Sequence, residues 1–91
     1  MKLHNMGSDG NGNTNYIFNC PGCNCIHPVA VPRWHWNGSM EKPTFSPSLL
    51  CNGFDDASRC HSFIKDGKIE FLSDCWHQLA GKTVEIPEYE I

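Results

Sequence analysis

Residues 60–80 read CHSFIKDGKIEFLSDCWHQLA. Two runs in which apolar and polar residues alternate, Cys60–Lys65 and Lys68–Ser73, flank Asp66 and Gly67. An Asp-Gly pair between two such runs is typical of a β-hairpin closed by a two-residue type I′ turn. The stretch therefore predicts an antiparallel hairpin whose register is set by its turn.

That register separates the chemically active side chains of the hairpin. Successive side chains of a strand point to opposite faces of the sheet. Counting outward from the turn places Cys60 opposite Ser73, with Cys75 continuing on the same face. His61 and Asp74 then fall on the other face as diagonal neighbours. We therefore expect two thiols on one side of the open end and a His–Asp pair on the other.

The rest of the chain predicts short strands joined by loops. Residues 40–48 contain two prolines and are expected to be extended and irregular. A helix of one or two turns is predicted over 74–80, capped by Asp74 and stopped by Gly81. Further strands are predicted at Tyr16–Phe18, His27–Val31, Arg33–Trp36, Leu49–Cys51 and Thr83–Ile86. The expected fold class is a small, mainly-β (β-rich α+β) domain of antiparallel hairpins with one short helix, held together by zinc.

Composition limits the other possibilities. The 91 residues suffice for one small domain and include six cysteines and five histidines. Residues 1–15 are rich in Gly and Asn and predict a flexible N-terminal tail, which leaves 16–91 as a single zinc-binding β-rich domain. No apolar run is long enough to span a membrane, and no secretory signal is present, so a cytoplasmic location is expected. The net charge of −3 disfavours a general nucleic-acid surface.

Cysteine spacing predicts a metal site. Cys20 and Cys23 form a C-P-G-C pair whose Pro and Gly favour the tight turn of a zinc knuckle. Brought to the open end of the hairpin, this pair would place four sulfurs around one tetrahedral ion. The predicted zinc ligands are Cys20, Cys23, Cys60 and Cys75, with His77 and His27 as alternates.

The cysteines have two other possible uses. Six cysteines permit three disulfides, although a cytosolic setting disfavours them. A redox C-x-x-C motif requires a helix starting at its first cysteine, whereas a strand is predicted here. Cys25 and Cys51 fit the metal pattern less well and are expected to be free thiols.

The His61–Asp74 pair permits two interpretations. It can simply hold the end of the hairpin, which is the favoured interpretation because the sequence identifies no open metal position. It can also do acid–base work beside a metal, and in that case His61, Asp74 and His77 are the candidate catalytic residues. A zinc deaminase is excluded, because its H-x-E and P-C-x-x-C signature does not occur.

The order of motifs resembles a family of small Cys/His-rich proteins of tailed phages and prophages. The motifs are FNCPGC at 18–23, WHWNG at 34–38, PTFSPS at 43–48, CHSFIKDGKIEFL at 60–72, DCWHQLAG at 74–81 and TVEIP at 83–87. The resemblance implies a phage or prophage origin and a bacterial host cytoplasm. Its motif residues include Cys20, Cys23, His27, Cys60, His61, Cys75 and His77.

Three functions follow as hypotheses. The first is a zinc-binding phage protein that acts as a protein-binding module, with a host or phage protein as partner, for example an anti-phage defence factor. The second is a zinc-dependent hydrolase, in which the metal would activate water. The third is a zinc module that binds a defined nucleic acid, which the net charge opposes. Without a complete catalytic signature, the sequence favours the first hypothesis and leaves enzyme activity open.

Overall fold

The computed structural model describes residues 1–51 and 57–89. Over these two ranges the chain forms eight β-strands and no helix. The strands are β1 His4–Ser8, β2 Thr14–Cys20, β3 Cys25–Val31, β4 His35–Trp36, β5 Phe45–Cys51, β6 Cys60–Lys65, β7 Lys68–Phe71 and β8 Thr83–Glu85. They make two antiparallel sheets, one in the order β1-β2-β3 and one in the order β4-β5-β6-β7-β8. The expected small, antiparallel β-rich architecture is confirmed.

The central β6–β7 hairpin has the predicted register. Ser62 lies opposite Phe71, and Ile64 lies opposite Ile69. Asp66 and Gly67 adopt positive φ angles of 52° and 78°, as both central residues of a type I′ turn must. The inward face is buried, because its apolar side chains pack into the core.

Both sheets contribute to one core. Phe18 and Val29 come from the first sheet, and Phe45, Ile64 and Phe71 come from the second; all five are buried. Buried cysteines belong to the same cluster and lie where the β2–β3 turn meets the open end of the β6–β7 hairpin. A core this small benefits from an additional crosslink, and the thiols occupy the position where one would join the two sheets.

The predicted helix over 74–80 is absent from the structure, and this expectation was wrong. The segment is a series of turns, in which the Cys75 amide donates to the Leu72 carbonyl at 3.2 Å. Other amides bind distant carbonyls instead: Trp76 donates to Arg59 and Gly81 donates to Phe71, each at 2.9 Å. Those long-range hydrogen bonds fix the path of the backbone against the local capping signals. Across residues 1–51 and 57–89, the structure contains no helix long and apolar enough to cross a membrane.

Residues 1–15, predicted to be a flexible tail, contain β1 and the start of β2. Leu3 is only 3 % exposed and joins the core. The turn between the two strands is closed by Asp9, whose amide donates to the Asn13 carbonyl at 3.0 Å. The first strand is thus attached to the domain by both pairing and apolar contact.

Candidate active site and metal centre

Two neighbouring strands bring a serine and a histidine together. β5 pairs with β6 so that Leu50 lies opposite His61. Between the Phe45–Ile64 pair and the Leu49–Ser62 pair, β5 contains three residues where β6 contains one, which is a β-bulge. Bulges redirect side chains and occur often beside active sites. Here the bulge contains Ser48, whose Oγ lies 3.1 Å from His61 Nε2.

The second nitrogen of the same ring contacts a carboxylate. His61 Nδ1 lies 3.4 Å from Asp74 Oδ2. The His61 side chain is 27 % exposed and that of Asp74 is 42 % exposed, so both groups can be reached from solvent. Ser48, His61 and Asp74 therefore form a continuous hydrogen-bonded chain, called the triad below.

The triad has the connectivity of a serine nucleophile and its base. A carboxylate on Nδ1 favours the tautomer with a proton at that nitrogen, which leaves Nε2 free to accept the hydroxyl proton. This arrangement activates an otherwise weak hydroxyl nucleophile. The His–Asp pair expected from the hairpin register is thus joined by a third residue, Ser48.

Sequence reasoning missed Ser48. Its segment, PTFSPS at 43–48, was expected to be irregular because of two prolines. A usable signal was present, since Ser48 directly precedes the apolar pair Leu49 and Leu50, as a polar residue of a strand can. The pairing partner of that strand, however, was not predictable from a local turn.

A group of four side chains on the inner side of the same hairpin could hold a metal ion. One ligand atom from each of its members lies within 4.8 Å of all the others. The members are Cys20, Cys23, His27 and Cys60. Below they are called the four-residue cluster.

Local folding prepares the knuckle for thiolates. The Asn24 amide donates to the Cys20 carbonyl at 2.9 Å and closes the tight turn. The Cys23 amide points at Cys20 Sγ at 3.4 Å, and the Trp76 indole NH points at Cys23 Sγ at 3.3 Å. Hydrogen bonds to the charged form of a thiol favour that form. The turn thus supplies one amide donor to a knuckle sulfur, and the Trp76 side chain supplies a second donor from outside the turn.

The cluster is electrostatically paired. A hydrogen bond from Cys60, 3.9 Å away, lowers the pKa of Cys20 to about 4 against the opposing effect of burial, and His27 lowers it further. The same hydrogen bond, together with burial, raises the pKa of Cys60. Burial opposes a charge on His27, but the neighbouring thiols of Cys20 and Cys51 raise its pKa to about 11. The directions of these pKa shifts favour a thiolate at Cys20, a thiol at Cys60 and an imidazolium at His27, whose ligand atoms lie within 4.8 Å of one another.

A second, overlapping group of possible ligands consists of Cys60, Cys75 and His77. His77 Nε2 lies 3.7 Å from Cys60 Sγ, and its Nδ1 accepts the Leu79 amide proton at 3.2 Å. Burial lowers the pKa of His77. The sequence-predicted ligands are thus distributed over two groups: Cys20, Cys23 and Cys60 lie together with the alternate His27, whereas Cys75 lies with the alternate His77.

Cys75 also contacts the backbone of the triad histidine. Its Sγ accepts the His61 amide proton at 3.2 Å and donates to the His61 carbonyl at 3.1 Å. The thiol therefore engages both backbone groups of His61, next to Asp74 in the chain. Cys25 is exposed, and Cys51 is partly buried opposite Cys60 in the β5–β6 pairing.

The sequence model of one protein family matches residues 2–72, and its description reads bacterial ubiquitination-like system serine protease (BubE). No curated protein and no solved structure matches the chain. The matched range includes Ser48, His61 and the whole four-residue cluster. Since it covers well over half of the 91 residues, the chain belongs to the BubE family of bacterial ubiquitination-like system serine proteases.

Proposed function

We propose that this protein is a serine hydrolase that cleaves peptide bonds with Ser48 as its nucleophile. The observation that carries the proposal is the relay from Ser48 Oγ to His61 Nε2 at 3.1 Å and from His61 Nδ1 to Asp74 at 3.4 Å. The family description, which names a serine protease, supports a peptide bond as the bond cleaved. A substrate within a bacterial ubiquitination-like system accords with the same description.

The geometry supports a two-step acyl transfer. Ser48 Oγ attacks the scissile carbonyl carbon while His61 Nε2 takes the hydroxyl proton. Asp74 stabilises the resulting imidazolium through Nδ1–H. His61 then gives the proton to the leaving amine as the carbon–nitrogen bond breaks. Water, deprotonated by the same nitrogen, hydrolyses the acyl-serine ester and restores the hydroxyl.

We also propose that the four-residue cluster binds zinc. Three sulfurs and one imidazole form a Cys3His set, which is a common structural zinc site. Nε2 of His27 is buried and has no hydrogen-bond partner among the described residues, a situation that costs about 1–3 kcal/mol. A metal bond at that ring would remove the cost. The Cys3His donor set and the partnerless Nε2 of His27 both support a metal ion at this cluster.

His77 is better suited to a supporting role than to ligation. A histidine that binds metal usually donates its other ring N–H to a partner. His77 Nδ1 instead accepts a proton from the Leu79 amide, so its own proton is on Nε2, where it can donate to Cys60. We therefore assign His27, and not His77, as the fourth ligand of Cys20, Cys23 and Cys60.

A closed set of four protein ligands leaves no position for a reactive water. The zinc would thus crosslink the two sheets, and the hydrolytic chemistry would belong to the serine. This differs from the sequence-based hydrolase hypothesis, in which zinc activates water. The protein-binding role and the phage origin remain predictions, and a hydrolase would also have to bind a protein or peptide as its substrate.

Labelling with a fluorophosphonate tests the nucleophile directly, since such probes form a stable bond only with an activated serine. We expect mass spectrometry to locate a single adduct on Ser48, and Ser48→Ala to abolish it. Ser46→Ala is the matched control, because Ser46 is exposed in the same strand and pairs with His35. Equal labelling of wild type and Ser48→Ala would contradict the proposal.

A further inference from the structure

An apolar recess lies beside the nucleophile. Its volume is about 260 Å³, slightly below the roughly 300–1,000 Å³ of pockets that hold a whole drug-sized ligand. A space of this size suits one side chain. Its lining contains no charged residue and consists of Asn15, Pro28, Ala30, Trp34, Leu49, Leu50 and Cys51.

The recess borders the residues next to Ser48, although the triad itself contributes no residue to its lining. Leu49 and Leu50 directly follow Ser48 in the chain, and Leu50 lies opposite His61 in the β5–β6 pairing. On the other wall, the Trp34 indole NH donates to the Ser48 carbonyl at 3.5 Å. Leu50 is 54 % exposed, so its side chain can be reached from solvent at the recess. A group bound in the recess would therefore touch the residues that flank the nucleophile.

The edge of β5 at this point is suited to an extended chain. β4 pairs only with Phe45 and Ser46 of β5. From Pro47 to Cys51, the described part of the chain provides no strand on the side of β5 away from β6. Extended peptides bind such edges by adding a strand, and their alternate side chains enter adjacent pockets. The Trp34 indole NH already binds the Ser48 carbonyl, so the backbone edge open to a peptide is the remainder of this segment, beside the recess.

From these features we infer that the recess is the specificity pocket for an uncharged aliphatic side chain on the residue whose carbonyl Ser48 attacks. The inference rests on the proposed serine hydrolase function and adds its substrate class: an extended peptide with a leucine-like residue before the scissile bond. One methylene in an apolar pocket changes kcat/KM by about 10–200-fold. Aspartate in place of leucine would find no counter-charge in the recess. Because burying an unpaired charge is costly, we expect it to reduce reactivity by at least about 100-fold.

Peptidyl phosphonates provide the test, because their phosphorus bonds covalently to an activated serine in place of the scissile carbonyl. They also carry a chosen side chain next to the reactive phosphorus. Two peptides, identical except for leucine or aspartate at that position, are reacted with the zinc-loaded protein, and adduct formation on Ser48 is timed. We expect a leucine-to-aspartate rate ratio of about 100 or more. Leu50→Lys places a cation at the mouth of the recess and lowers this ratio at least about tenfold, whereas Met6→Lys, on exposed β1, keeps the wild-type ratio.

A fluorophosphonate without a peptide separates the two proposals. If neither this reagent nor the peptides label Ser48, the serine hydrolase function fails. If the small reagent labels Ser48 while the leucine and aspartate peptides react at equal rates, only the specificity pocket is overturned. An unchanged ratio in Leu50→Lys would also overturn it, because the residue lines the recess.

Discussion

Replacing Gly22 by alanine would place a methyl group in the space that His77 occupies. A Cβ built on Gly22 lies 2.6 Å from His77 Nδ1 and closer still to two other ring atoms. His77 is only 9 % exposed, and its ring packs edge-on against Phe71 with 4.4 Å between the ring centroids. Its Nε2 lies 3.7 Å from Cys60 Sγ. The imidazole therefore has little room to retreat, and the substitution tests how firmly the knuckle is seated against the hairpin.

The expected magnitude follows from these contacts. Overpacking by one methyl group costs about 1–3 kcal/mol, so Gly22→Ala should lower Tm by roughly 4–8 °C per kcal/mol in a domain of this size. His77→Ala removes an aromatic contact worth about 0.5–1.5 kcal/mol and a hydrogen bond to a thiol or thiolate worth about 0.5–3 kcal/mol. In the double variant the new methyl group meets no ring, so the overpacking cost disappears.

The assay is a double-mutant cycle by urea denaturation at saturating zinc, with metal content measured on each variant. We expect the double variant to be about as stable as His77→Ala alone, which gives a coupling of about 1–3 kcal/mol. Each variant should retain one zinc, because His27 and not His77 completes the proposed ligand set. Additive free energies would refute the predicted clash, and loss of zinc from His77→Ala would refute the ligand assignment.

Three further predictions concern the triad and the metal. Asp74→Asn should lower kcat by about 10⁴-fold, because the amide no longer favours the productive tautomer of His61. The rate of hydrolysis of an activated ester measures kcat, and an unchanged kcat would exclude the proposed proton relay through Asp74. Cys75→Ala should retain zinc but slow fluorophosphonate labelling, with Cys75→Ser restoring the rate, since Cys75 contacts the His61 backbone; loss of zinc would instead make it a ligand. Zinc binding at pH 7 should release at least two protons, one from His27, whose pKa is about 11, and one from Cys60, whose pKa is raised. Affinity should therefore rise with pH, and calorimetry in buffers of different ionisation enthalpy counts the protons.

Much of the fold was predictable where local chemistry determines geometry. Asp66 and Gly67 specify a turn, and the turn specifies which residues of β6 and β7 face each other. His61 and Asp74 could therefore be placed together from the sequence. Ser48 could not, because β5 and β6 are not joined by a two-residue turn and the bulge in β5 changes the local register.

The predicted helix was wrong because it rested on neighbours in the chain, whereas the structure uses distant partners. The proposed choice of His27 in place of Cys75 as a ligand also depends on contacts between distant residues. Backbone hydrogen bonds from Trp76 to Arg59 and from Gly81 to Phe71 draw the 74–80 segment along the hairpin. His27 reaches the thiols because β3 returns antiparallel to β2 and places it opposite Phe18. Sequence spacing contains the candidate ligands but not the tertiary contacts that choose among them.

Because Cys60 and His61 are adjacent in β6 and face opposite sides, the strand cannot tolerate an insertion or deletion of one residue. Adding or removing a single residue in β6 would exchange the two faces of the strand, so Cys60, the proposed metal ligand, would turn outward and His61, the proposed catalytic base, would turn inward. Natural or engineered insertions should therefore avoid the hairpin. The turn between β1 and β2 is the opposite case, since Gly10 and Gly12 border open space, and a tag or a reporter domain could be accommodated there without disturbing either site.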